Sequence, residues 1–217
     1  MTFRHPWFLA LLPAIVTAVF GCQSAYYAVW ESIGKEKRHL LRDQIENTRS
    51  DQEKAAEEFK DALTRVRELT GFSGGELESI YSRLKNDLDA CTDRANTIDK
   101  RIQNVETIAA DLFDEWEAEI DHIQNAGFKA SSRQSLIDTR NRYGRLHQAM
   151  VSSRDSMDPV LTRLNDYVLF LKHNLNARAV GALGEELGSI ESDVQTLIRD
   201  IETAISEADR FLSRFEV

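Results

Sequence analysis

Residues 77–123 read LESIYSRLKNDLDACTDRANTIDKRIQNVETIAADLFDEWEAEIDHI. Apolar or small side chains recur there in steps of four and three: Leu77, Tyr81, Leu84, Leu88, Cys91, Ala95, Ile98, Ile102, Val105, Ala109, Leu112, Trp116, Ile120, Ile123. This is the heptad seam of an amphipathic helix that buries one stripe against partner helices. No proline or glycine interrupts it. A seam this long needs partners of similar length, so the rest of the chain is read for them.

Three further segments supply them. The first carries Leu41, Ile45, Thr48, Gln52, Ala55, Phe59, Ala62, Val66 and Leu69; its polar centre predicts the least tightly packed part of the molecule. The third carries Leu136, Thr139, Tyr143, Leu146, Met150, Ser153, Met157, Val160, Leu164, Val168, Leu171 and Leu175. The fourth carries Leu183, Leu187, Ile190, Val194, Leu197, Ile201, Ala204, Ala208, Phe211 and Phe215, widened by Ile198, Ile205 and Leu212. Ser73-Gly-Gly-Glu76 and Ser131-Ser-Arg-Gln134 have the pattern of capping boxes, and Gly71, Gly127 and Gly181 suit helix ends. The predicted helices are 26–69, 75–125, 132–177 and 182–215, about 50–75 Å long at 1.5 Å per residue. Pro159 predicts a kink or break in the third. Short connections make neighbours antiparallel, so the expected fold is all-α: an elongated up-down-up-down bundle of long coiled-coil-like helices in a single domain, 22–217. Folding the second helix onto the third sets Asp111, Asp114, Glu115 and Glu117 level with Arg140, Arg142 and Arg145.

Composition narrows the function. The 217 residues carry a net charge of −9, which opposes a nucleic-acid groove. Two cysteines are too few for a disulfide scaffold or a cysteine-rich zinc site.

The N-terminus reads as an address. Arg4 and His5 precede an uncharged apolar run, Trp7 to Phe20, too short to span a bilayer and typical of a signal peptide. Val19-Phe20-Gly21-Cys22 resembles the bacterial lipobox, although Phe20 is bulkier than usual. The resemblance implies cleavage of residues 1–21 and acylation of Cys22, and several acyl chains anchor durably. Gln23, rather than Asp, resembles outer-membrane sorting, with the domain facing the periplasm. The mature chain then carries 26 basic and 36 acidic residues.

Catalytic patterns are sparse. Glu36…His39 and Glu119…His122 have the Glu-x-x-His spacing of di-iron bundles. However, residue 39 is expected level with about 106, far from 122, so both read as solvated faces and no metal or other cofactor is expected. Gly71-Phe-Ser-Gly-Gly75 lacks the lysine and preceding strand of a phosphate loop. Cys91 on the seam reads as a buried core residue, with an intermolecular disulfide as the alternative.

The two bundle ends remain as candidate sites. Tyr26, Tyr27, Trp30 and Phe128 gather at the membrane-proximal base, with Lys129, Phe211, Arg214 and Phe215 nearby. Amphipathic aromatics suit a lipid headgroup region, and Tyr26, Tyr27 and Trp30 equally suit the bottom layer of the bundle core. Phe72, His173, Asn174, Asn176 and Arg178 gather at the distal tip as a candidate partner-binding surface.

Leu112-Phe-Asp-Glu-Trp-Glu-Ala-Glu-Ile120, Met157-Asp-Pro-Val-Leu161 and Leu171-Lys-His-Asn-Leu-Asn-Ala177 give the chain a resemblance to a bacterial envelope family, domain of unknown function 2959. It implies a small, mostly helical exported protein and assigns no activity, ligand or catalytic residue. The expectation is a lipid-anchored, non-catalytic structural or adaptor protein with an envelope protein as partner. The alternative is a bundle that binds lipid or shapes membrane, which would need a basic or apolar membrane-facing stripe.

Overall fold

The computed structural model describes residues 37–70, 77–174 and 176–215. The signal-peptide segment 1–21, Cys22, Tyr26, Tyr27, Trp30, Glu36, the 71–76 turn with Phe72 and its capping box, and Leu175 lie outside them, as does the side chain of Arg178. Five helices hold nearly all the described residues: α1 (Lys37–Thr70), α2 (Leu77–His122), α3 (Ala126–Asp155), α4 (Met157–His173) and α5 (Ala177–Leu212). α3 and α4 make one arm, interrupted only at Ser156. α1 packs against α2 and α5, and the α3–α4 arm packs against the same two helices. Four arms thus close around one core as an all-α bundle.

Antiparallel register is written in the ion pairs. Lys37, Asp51, Glu58 and Arg65 of α1 pair with Glu115, Arg101, Arg94 and Asp87 of α2. Each step of seven or fourteen residues up α1 is matched by an equal step down α2, the spacing of heptad flanking positions. Arg49 and Arg67 likewise meet Asp209 and Glu191 of α5 at 2.7 Å each. This register sets residue 39 level with about 113, one heptad from the expected 106. His39 and His122 are both exposed and remain well separated along the bundle. Among the described residues, no three His, Cys, Asp or Glu side chains are close enough to hold a metal.

The seams are buried almost residue for residue. Leu84, Cys91, Ile98, Ile102 and Val105 of α2 and Ile190, Leu197, Ile201 and Ala204 of α5 are fully enclosed. The polar centre of α1 departs from expectation. Thr48 and Gln52 are fully buried and Asp51 nearly so. Gln52 donates through Nε2 to Ser153 Oγ at 2.9 Å across the bundle, and Ser153 donates to the Met150 carbonyl at 2.8 Å. Asp51 meets Arg101 and, at 3.1 Å, Arg94, which also holds Glu58 at 2.8 Å. Buried polar groups persist only when hydrogen-bonded, and here most are. The segment is polar because its partners are polar.

Several boundaries differ from the sequence reading: the third arm ends at His173 rather than 177 and the last helix at Leu212 rather than 215. α3 begins at Ala126, not 132, and its N-cap is Asn125, whose side chain accepts from the Phe128 N–H at 3.0 Å. The serine pair at 131–132 sits within the helix, where Ser132 Oγ accepts from Trp116 Nε1 at 3.0 Å. The second helix ends at His122 rather than 125, so the 125–131 loop shrinks to a turn at 123–125. α5 begins at Ala177 rather than 182, placing Gly181 inside it with open space around its Cα. The break in the third arm falls at Ser156, three residues before Pro159. Proline lacks an N–H for the Asp155 carbonyl and crowds it, so the interruption appears one turn upstream. Ser156 Oγ also meets Asp200 of α5 there.

Candidate functional site

At the distal end, Lys172 and His173 occupy the last turn of α4, where positive charge suits the helix dipole. His173 and Asn176 are exposed. Asn174 acts locally: its amide Nδ2 donates to the Phe170 carbonyl at 3.0 Å and its backbone N–H to that of Leu171, also at 3.0 Å. It is the helix C-cap. Beside it lie Leu169 and Phe170, 48% and 39% exposed.

At the basal end, where the described chain begins, an aromatic stack closes the core. Phe215 packs on Phe211 at 4.8 Å, Phe211 on Tyr143 at 6.4 Å, and Tyr143 on Phe113 at 5.5 Å. Phe211 and Phe215 are buried, while Phe128, in the first turn of α3, is 70% exposed. Tyr143 also stacks on His147, whose Nε2 lies 2.6 Å from Glu106. Burial, reinforced by the Glu106 charge, pushes the Tyr143 phenol above its ordinary range.

Beside the stack is a hollow of about 280 Å³ between the start of α1, the end of α2, the first half of α3 and the residues just after α5. Trp116 and Phe215 wall it, and Arg38, Arg142 and Arg214 face it with Asp138. A smaller hollow of about 130 Å³ shares Arg142 and Arg214 and adds Arg145, Arg210 and Glu207. Arg38 lies 4.6 Å over the Trp116 ring, a cation–π arrangement. Arg142 donates to the Thr139 hydroxyl at 2.8 Å, and its Nε is buried without a partner among the described residues.

This arginine cluster corrects the expected pairing across α2 and α3. Of the three arginines, only Arg140 meets these acids, holding Glu117 at 2.9 Å and Asp114 at 4.0 Å, while Lys129 and Arg133 meet Asp121. Arg142 and Arg145 turn toward α5 instead. The signal was present in the spacing: Arg142 and Arg145 are three apart on α3, and Arg210 and Arg214 four apart near the end of α5. Antiparallel register sets the two pairs level. Glu119 and His122 stand exposed on α2, separate from this cluster.

Among the described residues no helix is long and apolar enough to cross a membrane. No curated protein and no solved structure matches the chain. The family model described as protein of unknown function (DUF2959) matches residues 26–215. With nearly the whole of its helical part covered, the chain belongs to that family.

Proposed function

We propose that this protein is a lipoprotein of the bacterial cell envelope. It is anchored by acyl chains on Cys22 in the outer membrane, faces the periplasm, and serves as a structural spacer or adaptor that presents its distal tip to a protein partner. Its role is mechanical rather than catalytic. One observation carries the reading: the large apolar side chains left exposed among the described residues, Phe128, Ile137, Leu169 and Phe170, all lie toward the two ends of the bundle. The flanks between are laced with ion pairs. Apolar exposure on a folded surface marks contact sites, and a rod with contacts at its ends joins two things. The lipobox-like Val19-Phe20-Gly21-Cys22 supplies the anchor in this reading.

The test is photo-crosslinking in living cells, with probes at Phe170 and His173 at the tip and Phe128 at the base. A discrete protein adduct from the tip is expected, and membrane fractionation should lose the protein when Cys22→Ser is introduced. A silent tip with lipid adducts around the base would replace the adaptor reading with lipid binding or membrane shaping. That second reading draws its support from the basal arginines.

A further inference from the structure

We propose that the basal arginine hollow is a binding site for a phosphate group. Positive charge is left unbalanced at the base of the bundle. The chain is acidic overall, at −9. Most of the described arginines are held by carboxylates, as at Arg49, Arg94, Arg101, Arg154 and Arg163. Among the described residues, the arginines with no carboxylate within 4 Å are Arg38, Arg142, Arg145, Arg199 and Arg214. All but Arg199 border the two basal hollows.

Arg142 carries the argument furthest. Its side chain is partly enclosed, its Nε is buried without a partner, and its terminal nitrogen reaches only the neutral Thr139 hydroxyl. A desolvated cation without a counter-ion is costly, so an anion entering the hollow would recover solvation that the protein withholds. Arg145 reaches no more than the Asn141 carbonyl at 3.4 Å, and Arg214 is exposed. Two acids border the site: Glu207, which engages Arg210, and Asp138, which accepts from Gln134 Nε2 at 3.0 Å and lines the larger hollow.

The donor geometry selects the anion. Guanidinium groups approach from α1, α3 and the end of α5, so donors converge from several directions. A planar carboxylate presents two oxygens in one plane. A phosphate presents oxygens tetrahedrally and suits planar guanidinium forks from different sides. A hollow of about 280 Å³ admits such a group with substituents attached. Clustered cations in a concavity also raise the local anion concentration. The same chemistry would take a phospholipid headgroup or a free phosphate, and the apolar wall of Trp116 and Phe215 would favour the ligand that carries carbon. The site does not depend on the adaptor reading, because it can be assayed whether or not Cys22 is acylated.

The experiment is isothermal titration of the full chain in a non-ionic detergent. The ligands are inorganic phosphate and two short-chain lipids below their micelle concentrations, dihexanoyl phosphatidylglycerol and dihexanoyl phosphatidylcholine. Saturable binding at one site is expected, weakened at least tenfold by Arg142→Gln and by Arg214→Gln and changed less than twofold by Arg199→Gln. Phosphatidylglycerol binding tenfold tighter than phosphate would identify a lipid headgroup. Equal or tighter binding of inorganic phosphate would identify a free phosphate ester. Both outcomes support the site. Absence of saturable binding by every ligand, or an equal loss in Arg199→Gln, overturns it. Should Arg142→Gln lower the melting temperature, the exposed Arg214 still decides the question.

Discussion

Cys91 sits fully enclosed on the α2 seam, between α2 and its neighbours. Burial, with Glu58, Asp87 and Asp61 nearby, pushes its thiol up to about 12. At pH 8 only about one molecule in 10⁴ would then carry the reactive thiolate. In a Cys22→Ser background, native protein should resist iodoacetamide at pH 8 and run as a monomer on a non-reducing gel, and urea should expose the thiol to rapid modification. The raised value also sets a sign for stability. The folded state holds the proton that the unfolded chain releases near pH 9, so this contribution is complete below pH 9 and is lost as pH rises toward 12. Asp51 poses the opposite problem, a nearly buried carboxylate held by Arg94 and Arg101. Asp51→Ala would leave Arg101 without that partner while Arg94 keeps Glu58. The arginines are a quarter to a third exposed, so the cost should fall near the lower end for a broken buried pair, about 3 kcal/mol in urea unfolding followed by circular dichroism.

At the scale of elements, the turn between α2 and α3 is made by one side chain. Asn125 holds the Phe128 N–H, and the turn needs only residues 123–125. Asn125→Ala should cost about 1 kcal/mol of unfolding free energy, the usual loss for an N-cap. Ser131→Ala should change little, because 131 lies within the helix and is exposed. The break at Ser156 belongs to this scale too. It lies within about a turn of the Gln52–Ser153 and Arg154–Asp99 contacts, the latter at 3.3 Å. The proline's disruption is thus placed beside the polar layer, where cross-helix hydrogen bonds offset the lost intrahelical one.

For the whole molecule, four arms packed side by side make a rod. α2 alone has 46 residues, which is about 69 Å of helix. A compact chain of this length would have a radius of gyration near 17 Å, whereas a rod of these proportions gives about 22 Å. Small-angle scattering should return the larger value, and a value near 17 Å would mean that the arms fold back in solution. The same side-by-side packing brings the start of α1 to the ends of α2 and α5, and so builds the basal hollow from residues as far apart in sequence as Arg38 and Phe215.

The helical class, the antiparallel order and nearly every buried seam position were legible in the sequence. Those depend on a local rule: an apolar residue every three or four positions must face inward, and heptads hold that face over long distances. Helix ends were less legible, because Asn125 and Ser131 both look like caps and only the packed bundle selects between them. Tertiary structure alone decided three things. It enclosed the polar centre of α1, because Ser153 and two arginines of α2 meet it there. It moved the hairpin register by one heptad, since a repeating seam permits several registers and the ion pairs choose one. It also turned Arg142 and Arg145 away from the acids of α2 and toward Arg210 and Arg214. A side chain on the flank of a heptad seam has two neighbouring helices to choose from, and sequence spacing does not say which it meets.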